Sequence, residues 1–245
     1  MTPLGLDYPT KWGRQFPARV AREIYHLVYV GPVTHHISTL EVHGLEHITG
    51  SGPYIFVANH TSNLDTPIVR TALPAKQRRR TIVAAAMDNF FMSRGTAFHT
   101  VFVFNAIPID RHKINRRSSQ QALDLVAEGW NLLIFPEGGR TPTGQLQEFK
   151  GGAAYLAERT KAAVIPTYIH DAGWLRGPKY AKAPQFVEGP NQSRHHVSVT
   201  FGPAMHCAEG ENIRRFNTRI EEAIVQLGRQ VSGNPEYDIS RASRD

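Results

Sequence analysis

The feature that most constrains this chain is a series of short, almost uninterrupted apolar runs. These are PYIFVAN at 53–59, RTIVAAAM at 80–87, NLLIF at 131–135 and AAVIPTYI at 162–169. A strand that is apolar on both sides has no wet face, so it needs cover above and below. Between these runs the period changes to that of helices, at 67–73, at 118–128 with Ala122, Leu123 and Val126 on one face, and at 151–159. A last helix at 214–228 presents Phe216, Ile220, Ile224 and Leu227. Further strands are expected at ISTLEVHG (37–44), NAIPID (105–110) and HHVSVTFG (195–202). The expectation is α/β: a single domain over 37–232, with a largely parallel mixed sheet covered by helices. An N-terminal amphipathic helical segment over 1–36 precedes it, and a disordered tail over 233–245 follows.

In open sheets of this kind ligands collect beyond the carboxyl ends of the strands. Three polar groups fall there: His60 and Asp65 after the first run, Asp110 and Arg111 after NAIPI, and Glu137 with Arg140 after NLLIF. His60 and Asp65 are five positions apart, a spacing that separates two side chains on an ideal helix. Thr66-Pro67 reads as a helix start with Thr66 at the N-cap, which leaves 60–65 as a turn in which Asp65 folds back onto the imidazole. The competing reading is an S-x-x-D capping box from Ser62 to Asp65, with His60 incidental. Pro67 counts against it, because the proline would then fall beyond the first helical turn.

FPEGGRTPTG, 135–144, leaves a buried strand for a glycine-rich turn. Gly138 and Gly139 let backbone N–H groups approach an anion, and Arg140 can fork onto a phosphate. Glu137 is a poor phosphate ligand; it is expected to hold cationic side chains or to accept from a substrate hydroxyl. Lys150, ahead of Gly151-Gly152, adds a donor at the next helix start. Arg111 is the candidate for an acceptor phosphate, while Lys113, Arg116 and Arg117 read as a solvated basic helix start. The chain has no P-loop spacing and no G-x-S-x-G elbow. His60 therefore needs a nucleophile from elsewhere, and a substrate hydroxyl supplies one.

A net charge of +7 favours anionic partners. One cysteine, Cys207, cannot form an internal disulfide, and no cysteine–histidine spacing suggests a metal site. The N-terminal residues lack the apolar core of a secretory signal, and no window reaches 18 uninterrupted apolar residues. The expected location is cytoplasmic, peripheral at the inner face of the membrane. Trp12, Phe16, Val20, Ile24, Leu27 and Val28 recur at helical spacing, with Lys11, Arg14, Arg19 and Arg22 as a basic face suited to anionic lipid. KQRRR at 76–80 reads as a solvated loop or a second lipid-facing patch. No stacking aromatics or nucleic-acid motif accompany the basic runs, so nucleic acid is not expected.

Taken together and in order, NHTSNLD, AIPIDR, FPEGGRT and AVIPTYI resemble the four blocks of the glycerolipid acyltransferase family typified by 1-acylglycerol-3-phosphate acyltransferases. The resemblance implies transfer of an acyl group from acyl-CoA or acyl-carrier protein, used as co-substrate, to the hydroxyl of a lysophosphatidate-like acceptor. It implies His60 as base and Asp65 as its orienting partner. Arg111, Glu137, Gly138 and Arg140 would lie on the acceptor side and Pro166 on the acyl-donor side, with no metal or resident cofactor. Gly139 departs from the usual Thr or Ser, which widens the acceptor question to other lysophospholipids and glycolipids. A thioesterase and a non-catalytic basic binding module are the rival readings.

Overall fold

The computed structural model describes residues 4–111, 116–141, 145–170, 172 and 195–240. The apolar runs become the strands β1 Ser38–His43, β2 Tyr54–Ala58, β3 Thr81–Ala86, β4 Ala106–Ile109, β5 Asn131–Ile134, β7 Ala163–His170 and β8 His195–Phe201. They form one seven-stranded sheet in the order β1-β8-β7-β2-β5-β3-β4. The five strands from β7 to β4 are parallel; β8 runs antiparallel to β7 and parallel to β1. The sheet is therefore largely parallel and mixed, as expected.

The helices are α1 Phe16–Tyr25, α2 Gly31–Ile37, α3 Asp65–Ala72, α4 Ala75–Arg79, α5 Met87–Phe90, α6 Arg94–Phe104, α7 Arg116–Ala127, α8 Gly152–Thr160 and α9 Ile213–Ser232. Alternation along β2 sends Ile55 and Val57 to one face, with Ala122 of α7, Ala154 of α8 and Phe216 of α9. Tyr54, Phe56 and Ala58 join the other face, with Ile68 and Val69 of α3 and Ala97 and Val101 of α6. Both faces are thus dry, which is why these strands carry no polar alternation. Pro108 is tolerated because β4 is an edge strand. Pro166 lies inside the sheet, level with Val57, one residue before the β7–β8 ladder begins at Thr167.

Helices α4, α5 and α6 were not expected. Helix α6 is apolar nearly all round, so it carries no helical period; its start is fixed by a Ser93–Thr96 capping box and its end by Asn105 in the left-handed region. KQRRR is neither a loop nor wholly solvated. Gln77 and Arg78 are buried in and beside α4, Gln77 donating to the carbonyls of Ile48 and Gly50 and Arg78 pairing with Glu23 at 2.6 Å.

The N-terminal segment is helical with its apolar stripe turned to solvent, and one residue of the expected basic face, Arg22, is turned inward instead. Helix α1 continues through a π-type turn, His26–Val30, into α2. Arg22, His26 and Thr34 form its buried stripe, while Phe16, Val20, Ile24, Leu27 and Val28 are exposed. Arg22, expected to face lipid, is only 4 % exposed. It caps the C-terminus of α6 by donating to the carbonyl of Phe102 at 2.6 Å and that of Val101 at 3.3 Å, and to Gly13 at 2.5 Å. Burial, with Arg78 and Arg70 nearby, pushes the His26 imidazole down to about 4, so it packs as a neutral ring.

The expected disordered tail is also corrected. Residues 233–240 fold back on the domain: Tyr237 is buried against Tyr168 and β9 Ile239–Ser240 pairs with β6 Leu146–Gln147. Residues 241–245 lie outside the described residues.

Candidate active site

Strand β2 delivers the first functional side chain. One residue past its end, the buried Asn59 side chain pairs with the backbone of Ile169 in β7, accepting at 2.7 Å and donating at 3.0 Å. This side chain continues the sheet for one more step and fixes where His60 leaves it. The chain then turns, Ser62 Oγ accepting from Leu64 N, and α3 begins at Asp65. The N-cap of α3 is therefore Leu64 rather than the expected Thr66, and the helix begins two residues earlier than expected. Pro67 is the third helical residue, where no intrahelical partner for an N–H exists.

Within this turn Asp65, fully buried, receives His60 Nδ1 at 2.7 Å on its Oδ2. The same oxygen accepts the backbone N–H groups of Thr61 at 2.7 Å and Ser62 at 2.8 Å. The Ser62–Asp65 interaction is half of the capping box, and it coexists with the His60 contact rather than competing with it. A carboxylate can only accept, so Nδ1 carries the hydrogen and Nε2 keeps its lone pair. The imidazole is 21 % exposed and stacks on Phe135 with ring centroids 4.3 Å apart. A ring so oriented can take a proton from a ligand at Nε2.

The glycine loop after β5 grips the backbone of His60 at both ends. Glu137 Oε1 accepts the His60 N–H at 2.6 Å, and the Thr141 N–H donates to the His60 carbonyl at 2.9 Å. The other Glu137 oxygen accepts from Gln147 N at 3.0 Å. Both oxygens of Glu137 thus accept from backbone N–H groups, so its structural role is to fix the start of the His60 turn and the Gln147 backbone. Burial pushes its carboxyl up to about 8, against the pull of the two N–H bonds.

Arg111, just beyond β4, donates from Nη1 to the carbonyl of Gly138 at 3.1 Å. Lys150 Nζ donates to the carbonyl of Arg111. Gly138 has φ +71°, and a Cβ there would meet Lys150 Nζ at 2.6 Å, so glycine is required for this packing. Gly139 has no such conflict; a Cβ there would lie 3.9 Å from Arg111 Nη1. Arg140 is half-buried at the end of the loop, its carbonyl accepting from the Gln147 side chain. His60, Asp65, Glu137, Gly138, Arg111 and Lys150 are therefore joined in one network, and Gly139 adjoins it in the loop. Pro166 is buried within β7, level with Val57 of β2. Lys113 and the side chains of Arg116 and Arg117 lie outside the described residues. Among the described residues, no group of three or more histidine, cysteine or acidic side chains is placed to hold a metal.

Three residues of this site escaped the sequence. Phe135 and Thr141 belong to the loop already singled out, but stacking and backbone donation leave no mark in a sequence. Asp88 accepts from Arg111 Nη2 at 2.6 Å and Nε at 3.0 Å. A signal for it existed, because Asp88 follows the strand RTIVAAAM as Arg111 follows NAIPI, a polar residue at the same strand-end level.

A family model described as Acyltransferase matches residues 39–170. The chain is 30 % identical over 130 residues to human 1-acyl-sn-glycerol-3-phosphate acyltransferase alpha, covering 52 % of this chain and 44 % of that protein. It is 33 % identical over 134 residues to the 1-acyl-sn-glycerol-3-phosphate acyltransferase of Pseudomonas aeruginosa, covering 51 % and 47 %. The chain spans less than half the length of these curated relatives. In fold it is similar to the crystal structure of the 1-acyl-sn-glycerophosphate acyltransferase PlsC from Thermotoga maritima, with a TM-score of 0.63 at 20 % identity, covering 89 % of this chain and 80 % of that one. The matched region begins in β1 and ends with β7, enclosing His60, Asp65, Arg111, the glycine loop and Pro166. On these grounds the chain belongs to the acyltransferase family.

Proposed function

We propose that this chain transfers a fatty acyl group from acyl-CoA or acyl-carrier protein to the free hydroxyl of a lysophosphatidate-like glycerolipid. The observation that carries the reading is the His60–Asp65 pair, with its tautomer fixed and Nε2 unengaged, tied through the glycine loop to Arg111. His60 Nε2 removes the acceptor's hydroxyl proton as that oxygen attacks the thioester carbonyl. The tetrahedral intermediate collapses with loss of the thiolate, which takes up the proton from the imidazolium. The chemistry uses two substrates and no resident cofactor. Arg111, Arg140 and Lys150 meet the acceptor's phosphate, and Pro166 serves the acyl-donor side. The named relatives act on 1-acylglycerol-3-phosphate, which supports this acceptor. An acceptor panel with product identification by mass spectrometry tests the reading. Acylation of lysophosphatidate is the expected result; thiol release without any acceptor would make the protein a thioesterase instead.

The same protein works as a peripheral one at an anionic membrane, on the inner face. Among the described residues no helix is long and apolar enough to cross a bilayer. Support comes from the exposed stripe Phe16, Val20, Ile24, Leu27 and Val28, flanked by the exposed cations Lys11 and Arg19 and the half-buried Arg14. An apolar stripe turned to solvent is costly in water and is favourable once immersed ~5–10 Å into an interface.

A further inference from the structure

Strand β3 lies between β5 and β4 in the sheet, so the residue that follows it is set between the glycine loop and Arg111. Asp88, the second residue past β3 and the second of α5, occupies this region. No motif contains it. Its Oδ2 takes two N–H groups of Arg111, Nη2 at 2.6 Å and Nε at 3.0 Å, while Nη1 is taken by the carbonyl of Gly138 at 3.1 Å. A guanidinium has five N–H groups in a fixed fork. Among the described residues three are spent on the protein, which leaves two for a ligand. The protein-facing bonds come from two different strand-end loops, and the backbone carbonyl of Arg111 is held by Lys150 as well. Both the plane and the position of the fork are thus set before any ligand arrives.

We propose that Asp88 is a positioning residue for acceptor recognition: it locks Arg111 so that its two remaining N–H groups present a fixed fork to the phosphate monoester of the acceptor. This rests on the reading that Arg111 binds that phosphate. An arginine on an exposed strand end otherwise samples many rotamers, and each binding event must select one. Asp88 removes that selection. It also carries a negative charge close to the incoming phosphate, which on electrostatics alone weakens phosphate binding. The two effects have opposite signs, and the paired 2.6 and 3.0 Å bonds to a partly buried guanidinium favour the positional one.

The test is steady-state kinetics on the full chain with lysophosphatidate and acyl-CoA, for wild type, Asp88→Asn, Arg111→Ala and the double variant, with thermal melting to confirm folding. Asp88→Asn is expected to raise KM for lysophosphatidate ~10-fold or more, the size of a lost charge-assisted bond. It should leave kcat and the KM for acyl-CoA within ~2-fold, and the double variant should match Arg111→Ala because Asp88 acts through that arginine. An unchanged or lowered KM for Asp88→Asn, beside a raised KM for Arg111→Ala, overturns the proposal and leaves the acceptor reading standing. An unchanged KM for Arg111→Ala overturns both. Asp88→Ala is a second variant for the same comparison, since both bonds fall on one oxygen and an asparagine oxygen can still accept them without the charge.

Discussion

At the scale of the residue, the site turns on how few freedoms His60 retains. Its ring is fixed by Asp65 and Phe135, and its backbone by Glu137 and Thr141. Asp65→Asn keeps the shape but weakens the acceptor for three N–H groups, so kcat should fall by less than the ~10²–10⁴-fold expected when a general base is lost. Rates for the two variants, side by side, check that order. Glu137 makes a separate prediction through pH. Its carboxyl in the fold holds a proton up to about 8, well above its unfolded value, so between those values the folded state binds the extra proton. Stability from this group is present at low pH and is lost as pH rises through about 8. Melting curves should show wild type losing Tm over that window, with Glu137→Gln losing markedly less. The H-x4-D spacing and Pro67 made the turn legible, since proline restricts where α3 can begin. The exact start was not, because Asp65 serves both the helix and the imidazole.

Among the elements, α1 shows what a sequence period can and cannot say. The period of Phe16, Val20, Ile24, Leu27 and Val28 is plain, but a period says which residues share a face and not which way the face looks. Arg22 and His26 point inward because α6 offers the carbonyl of Phe102 at its C-terminal end and the imidazole can go in uncharged. Arg22→Ala should therefore lower stability by roughly 2 kcal/mol or more, as buried carbonyls lose their donor, measurable by urea denaturation. Replacing Ile24 and Leu27 with aspartate should leave Tm nearly unchanged and remove co-sedimentation with anionic vesicles. Vesicle binding that survives this change would move the membrane contact to another surface. Helices α4 and α6 were hidden for opposite reasons: KQRRR is charged yet half-buried, and α6 is too uniformly apolar to show a period.

For the molecule as a whole, the strand-end rule carried most of what could be read in advance. Apolar runs specified a covered parallel sheet, and a covered parallel sheet places its polar strand ends along one edge. Strand order could not be read, and it is the order that sets Asp88 beside Arg111. The C-terminal residues were misjudged because their polar composition suggests a tail, whereas Tyr237 closes over Tyr168 and leaves no room for a side chain at Gly228. Tyr237→Ala should destabilise the domain by ~3–5 kcal/mol, the range for truncating a buried aromatic. The central claim is that one imidazole, oriented by one carboxylate, drives acyl transfer to a hydroxyl. Its most direct test is thiol release from acyl-CoA in the presence of lysophosphatidate, for wild type and for a folded His60→Ala protein. The account predicts a kcat lower by ~10²–10⁴-fold in the variant; turnover equal to wild type would contradict it.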